Sequence, residues 1–230
     1  HAVLTVYGAP AGWDVVLSQN AVTLDAQQSV TIMLEVTPPM DALANALAWL
    51  DVRATTDNGM VSDVFLSIKV NRVYGINATW LYVDHEAMPE NMSHAVFQVN
   101  NTGNGQSVVY LSPVLPDGWD GFVSPSTLVL NAFESSLIDF YYAPDAYALA
   151  HETHSIGVSI TSEETEMNLQ EEVCVLPVTG FEMEISNDVM FLYPGDIELC
   201  CINLTNMGNH EDNVTLEIAL PANFTYTLED

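Results

Sequence analysis

Residues 116–144 read PDGWDGFVSPSTLVLNAFESSLIDFYYAP, and residues 10–38 read PAGWDVVLSQNAVTLDAQQSVTIMLEVTP. At a shift of 106 residues, Gly12-Trp13-Asp14 meets Gly118-Trp119-Asp120. Ser18, Leu24, Ala26, Ser29 and Pro38 meet Ser124, Leu130, Ala132, Ser135 and Pro144. Just beyond, Ala42 and Ala44 meet Ala148 and Ala150. Self-similarity at a fixed shift marks a repeat architecture in which each unit is one structural block.

A second echo runs toward the C-terminus. Asn101-Thr102-Gly103-Asn104 returns as Asn206-Met207-Gly208-Asn209, and Pro116 returns as Pro221, both at a shift of 105. A unit of about 105 residues has the size of one β-sandwich domain. The expected division is a later half-repeat at 1–73, a complete repeat at 74–178 and an earlier half-repeat at 179–230. A sandwich lacking strands exposes half its core and an unpaired edge. The missing strands are therefore expected from a longer chain or from neighbouring copies.

Within the unit the hydrophobic period is two. Val30, Ile32, Leu34 and Val36 alternate with Ser29, Thr31, Met33 and Glu35, and Ile138, Phe140 and Tyr142 keep the pattern one repeat later. Leu50, Val52 and Ala54 correspond to Ile156, Val158 and Ile160, and Ala95, Phe97 and Val99 to Cys200, Ile202 and Leu204. Such alternation in short runs between turn residues predicts half-buried strands and an all-β fold of tandem immunoglobulin-like sandwiches. The two Asn-x-Gly segments are expected to be tight turns whose glycine takes a positive φ. Asp57-Asn58-Gly59 reads as a hairpin turn. Trp13 and Trp119, each after a Pro-x-Gly turn, are expected to anchor a core layer. The segment from Asp41 to Leu50 has helix-forming composition, but its counterpart runs into a strand, so at most one helical turn is expected there.

Composition narrows the partners. The chain carries 31 Asp plus Glu against 3 Lys plus Arg, a formal net charge of −28. Nucleic acid is excluded as a partner, since phosphate binding needs clustered cations, and an anionic membrane surface is disfavoured on the same ground. A saline habitat suits such a surface, because salt screens its self-repulsion. No apolar run reaches the roughly 18–20 residues that span a bilayer. With 49% hydrophobic residues the chain can still build real cores.

The order of these motifs resembles the tandem Ig-like repeats of prokaryotic surface proteins, archaeal ones in particular. Among them are the cell-adhesion-related CARDB type and the NPCBM-associated domain of some glycosidases. In that group an Asn-x-Gly turn is followed by a strand, Pro-x-Gly-Trp, a Leu-containing strand, a turn and an alternating strand ending in Pro. Residues from Phe97 to Pro144 show this order, residues 1–73 its later half and residues 181–230 its earlier half. Two departures stand out: Asn223-Phe224 replaces Gly-Trp, and Asp25-Ala26-Gln27-Gln28 lacks the usual turn glycine. The resemblance implies an extracellular spacer, stalk, filament, adhesin, surface-layer component or accessory module of a surface enzyme. It carries no catalytic residues to this chain.

Six sequons stand at Asn77, Asn91, Asn100, Asn203, Asn213 and Asn223, more than composition gives by chance. They point to a glycoprotein carrying N-linked glycans, an Asn- and Thr-rich β-surface being the alternative. Cys174, Cys200 and Cys201 fit no zinc template and allow at most one disulfide, from Cys174 to one of the other two; buried free thiols are the other reading. His151-Glu152-Thr153-His154 lacks the helical spacing of a zinc site. Glu163-Glu164-Thr165-Glu166 and Glu171-Glu172 offer carboxylate oxygens of the kind Ca²⁺ takes, but in no calcium-loop spacing, so a solvated acidic hairpin is expected. No nucleophile elbow, Cys–base pair or phosphate-cradling loop occurs. The chain is therefore expected to be non-enzymatic, without catalytic, cofactor or metal residues, and to associate with neighbouring copies or with domains of its own chain. A carbohydrate-binding or adhesive role would need exposed aromatics converging on one face, and Trp80, Tyr82, Tyr141 and Tyr142 are the candidates.

Overall fold

The structure, a computed structural model, describes residues 1–220 and 225–227. The middle of the chain forms the fullest sandwich. One sheet holds β7 (Ile76–Val83), β9 (Ser93–Asn101), β11 (Asp120–Ser124) and β13 (Ser135–Ala143) in the order β11-β13-β9-β7. The facing sheet holds β8 (Glu86–Ala87), β10 (Ser107–Val114), β12 (Thr127–Leu130), β14 (Thr153–Thr161) and β15 (Glu166–Val175) in the order β12-β10-β14-β15-β8. Inward residues alternate along each strand and meet in one core: Ala95, Phe97 and Val99 from β9, Ile138, Phe140 and Tyr142 from β13, Ile156, Val158 and Ile160 from β14. The architecture is all-β and immunoglobulin-like, with no helix among the described residues and therefore none long and apolar enough to cross a membrane.

The first 73 residues rebuild only part of this plan. β1 (Ala2–Tyr7), β3 (Ala21–Val22), β5 (Leu47–Thr56) and β6 (Val61–Lys69) form a sheet in the order β3-β1-β5-β6. That is the order of β12-β10-β14-β15. β2 (Asp14–Leu17) pairs with β4 (Leu34–Thr37) as β11 pairs with β13, in the register expected from the 106-residue shift. At β1 the shift slips by one: the pairing of Leu4 with Ala54 matches that of Leu111 with Ile160, a shift of 107 for the first strand.

β16 (Phe181–Ile185) and β17 (Ile202–Asn206) supply the other part. Phe181 pairs with Asn206 as Ile76 pairs with Asn101, so this two-stranded sheet keeps the β7–β9 register. Pro221, Asn223 and Phe224 lie outside the described residues.

Burial follows which strands are present. Ile138, Phe140 and Tyr142 are 0% exposed, whereas Ile32, Leu34 and Val36 at the equivalent positions are only half-buried. Every residue of β17 is exposed, although its pattern is that of a core strand. Residues 29–33 likewise show no strand, because no neighbour corresponding to β9 lies beside them. The segment 41–46 contains turns and no helical turn, and leads directly into β5.

Trp13 and Trp119 sit in matching turns, each N–H donating to the carbonyl three residues earlier, Pro10 or Pro116, at 3.2 Å. Gly118 takes φ +83°, as the third position of a type II turn requires. Trp119 is buried against His154, ring centroids 5.3 Å apart, while Trp13 is half-buried.

Candidate functional site

The Asn-x-Gly segments are not hairpin turns, and their glycines do not take positive φ. A Cβ on Gly103 would lie 2.5 Å from the Val73 carbonyl oxygen, and one on Gly208 would lie 2.5 Å from that of Val178. Glycine is required because the incoming chain passes against the turn at that point. Thr102 donates to the Gly75 carbonyl at 2.9 Å and Asn104 to that of Val73 at 3.2 Å; Met207 to Gly180 at 2.8 Å and Asn209 to Val178 at 3.1 Å repeat the pair.

Two asparagines hold each turn. Asn101, 2% exposed, accepts from the Gly103 N–H at 2.9 Å and shares its Nδ2 among the carbonyls of Gly105 (2.8 Å), Asn131 (2.8 Å) and Leu130 (3.2 Å). It therefore ties the turn to its own sandwich. Asn104 faces the other way: Nδ2 donates to the carbonyls of Ala42 (3.1 Å) and Asn71 (3.0 Å), and Oδ1 accepts from the Val73 N–H at 2.8 Å. Its main-chain carbonyl accepts from the Ala44 N–H at 2.8 Å. Beside it Arg72 donates to the Gln106 carbonyl, pairs with Glu163 at 2.8 Å and lies over the Tyr74 ring, 4.3 Å from its centroid.

The sequons lie mostly on exposed surface. Asn77 on β7 is exposed and Asn100 on β9 is half-buried; they are direct cross-strand partners. Asn91 is exposed ahead of β9, Asn203 is exposed opposite Glu184 on β17, and Asn213 is exposed in irregular chain. Asn223 falls outside the described residues. Cys174 on β15 and Cys200 are half-buried, Cys201 is exposed, and all three are free thiols.

No three His, Cys, Asp or Glu side chains converge as metal ligands would among the described residues. His154 and Glu152 approach to 3.4 Å, and His151 occupies a turn at φ +66°. Within the acidic hairpin, Glu163 is taken up by Arg72. The open core side of β16–β17 leaves a cleft of about 230 Å³ lined by Phe181, Leu204, Asn206 and Val214. Asp212 adds one carboxylate to its lining.

Of the four aromatic candidates, two are internal. Tyr142 is wholly buried, and Trp80 packs edge-on against Phe97 at 5.3 Å while its Nε1 donates to the Gln170 carbonyl at 3.2 Å. Tyr82 and Tyr141 instead join a row across the outer face of one sheet, Phe122–Tyr141–His94–Tyr82. Sequence reasoning passed over Phe122 and His94, although each occupies an outward position of an alternating strand. Tyr141 stacks on His94 at 4.8 Å and on Phe122 at 5.0 Å, with interplanar angles of 28° and 26°. Tyr141 is thus stacked on both sides by its cross-strand neighbours, whereas Tyr82 is only tilted against His94, 6.3 Å away at 46°, and Tyr82 and Phe122 at the ends of the row stay exposed.

At the end of that row, the Tyr82 hydroxyl donates to Asp84 and the His94 N–H donates to the same carboxylate at 2.9 Å. The Tyr82 bond is the larger cause holding the Asp84 carboxyl below its ordinary value, against a smaller opposing effect of burial. Burial pushes the Tyr142 hydroxyl up; it donates to the Asp84 carbonyl. A carboxylate with a depressed folded pKa stabilises the fold above the ordinary carboxylate range and loses that contribution as pH falls through the folded value. Tyr82→Phe is therefore expected to lower the thermal midpoint modestly at pH 7, with the gap to the parent narrowing when the melts are repeated at acid pH, below the ordinary carboxylate range. A gap of equal size at both pH values in paired melts would contradict this.

No family model matches the chain, and no curated protein matches it. Solved structures resemble it remotely. The PapD-like domain 7 of human CEP192 aligns at 9% identity and TM-score 0.30, covering 44% of this chain and 83% of that one. Domains 4 and 5 of the S-layer protein SbsC align at 14% identity and TM-score 0.31, covering 56% of this chain and 65% of that one, just under two thirds of its length. A protein of unknown function from Porphyromonas gingivalis W83 aligns at 13% identity and TM-score 0.34, covering 75% and 84%.

Proposed function

We propose that this chain is a non-enzymatic structural segment of an extracellular filament, stalk or surface layer, built from tandem Ig-like sandwiches of the kind seen in CARDB and NPCBM-associated repeats. The observation that carries this reading is the recurrence of one strand plan along the chain. β1–β6 repeat the β10–β15 arrangement, and β16–β17 repeat the β7–β9 pair in register. Chemistry needs one constellation held in one place, whereas this chain spends its residues on repeating a scaffold. In this reading the half-sandwiches accept strands of their own kind, from neighbouring repeats or neighbouring copies. Glycans on the exposed sequons and the charge of −28 keep the array solvated.

Electron cryomicroscopy of native material tests it. Continuous head-to-tail density with a repeat of about 105 residues, and sugar density at the sequons, is the expected result. Isolated particles without sugars would overturn it in favour of a soluble binding module.

A further inference from the structure

The seam that joins the first and middle units recurs, group for group, between the middle unit and the last. Asn209, 8% exposed, donates from Nδ2 to the carbonyls of Ala148 (3.0 Å) and Leu176 (3.0 Å), accepts at Oδ1 from the Val178 N–H (2.7 Å) and accepts at its main-chain carbonyl from the Ala150 N–H (3.0 Å). Asn104, 7% exposed, makes the same four bonds to Ala42, Asn71, Val73 and Ala44.

We propose that the second asparagine of Asn-x-Gly-Asn is an inter-repeat lock, binding each sandwich to the one before it and fixing their mutual orientation. This deepens the tandem-array reading and rests on it. The surface is the turn at 101–105, and the partner it fits is the main chain of the preceding repeat around Ala42–Ala44.

The alternative is that Asn104 merely shapes its own turn. The last unit separates the two roles. Asn206, the counterpart of Asn101, is exposed: its Oδ1 still accepts from the Gly208 N–H at 2.8 Å, but its Nδ2 reaches the His210 carbonyl alone, at 2.8 Å, since among the described residues no strands corresponding to β12 and β13 stand beside it. Asn209 nevertheless keeps all four of its bonds. The lock therefore depends on the preceding repeat and forms even where its own sandwich is incomplete.

The position after the lock differs between the seams: a Cβ on Gly105 would sit 3.2 Å from the Arg72 Nε and 3.3 Å from the Ala44 Cβ, whereas the second seam carries His210 there and keeps its four bonds. Alanine at 42 and 44, and again at 148 and 150, leaves the carbonyls accessible. The carboxamide also satisfies its acceptors without charge, in a chain already rich in carboxylates. Only the first seam has a charged supplement: Arg72 stands where the second seam has Pro177.

The test measures inter-unit distance by double electron–electron resonance, with spin labels at Met60→Cys and Asp117→Cys, both exposed positions. The native cysteines are replaced by serine. The parent is expected to give one narrow distance distribution. Asn104→Asp keeps the shape but removes both N–H donors and sets a carboxylate against two carbonyls, and is expected to widen the distribution at least twofold while the middle sandwich still melts cooperatively.

Asn101→Ala is the control, expected to lower the melting temperature without widening the distribution well below it. A broad parent distribution overturns the lock, as does an unchanged width in Asn104→Asp or equal widening in Asn101→Ala. A stiff seam found in material that never forms arrays would leave the lock standing and remove the surface-polymer reading.

Discussion

Phe140→Ala is expected to destabilise the middle sandwich by about 3–5 kcal/mol, the range for truncating a buried aromatic. Phe140 is 0% exposed and packs on Tyr142 and Trp80 at centroid distances of 5.3 and 6.1 Å. Neither sheet can close over the void without moving the other. Whole domains are stable by only about 5–15 kcal/mol, so the loss should shift the melting midpoint by more than about 10 °C. The same truncation one repeat earlier, Leu34→Ala, removes a half-buried side chain and should cost less than about 2 kcal/mol. Denaturant titrations of both variants decide the matter. Equal losses would mean that the first unit has a closed core in solution, contrary to the burial seen here.

Asn101→Ala is expected to cost about 3 kcal/mol, mainly because it orphans the buried Leu130 carbonyl and Gly103 N–H. Its amide serves the carbonyls of Gly105, Leu130 and Asn131, and its oxygen serves the Gly103 N–H. Leaving a buried polar group unpaired costs about 1–3 kcal/mol, more than a typical hydrogen bond contributes when made. Asn206→Ala, at the exposed counterpart, should be nearly neutral. The substitution leaves the sequon Asn100-x-Thr102 intact, so any change in glycosylation at Asn100 would not follow from lost recognition. A loss below about 1 kcal/mol at Asn101, measured by the same titrations, would contradict the network.

Much of this architecture was legible in the residues. Alternation at Ser135–Tyr142 signals a strand with one buried face, because successive side chains point to opposite sides of a sheet; the same pattern at Val30–Val36 yields a strand only from Leu34 onward. Recurrence of Gly-Trp-Asp and Asn-x-Gly-Asn then marks where the same turn chemistry returns along the chain. These properties are local or additive, and a linear string carries them in full.

The tertiary structure decided what depends on contact between distant segments. Asn-x-Gly looks like a turn that needs positive φ, yet Gly103 is required by the carbonyl of Val73, thirty residues away in the chain. Asn101 and Asn104 are identical in type and three positions apart. One binds its own sandwich and the other the preceding one, because the turn presents them to opposite sides. Tyr82 and Tyr141 share one outer face, but only the structure shows that Tyr141 is stacked between Phe122 and His94 while Tyr82 stays exposed. Ile32 and Ile202 carry core-strand patterns but lie partly or wholly open, since hydrophobic pattern states which face seeks burial and only the presence of a facing strand provides it.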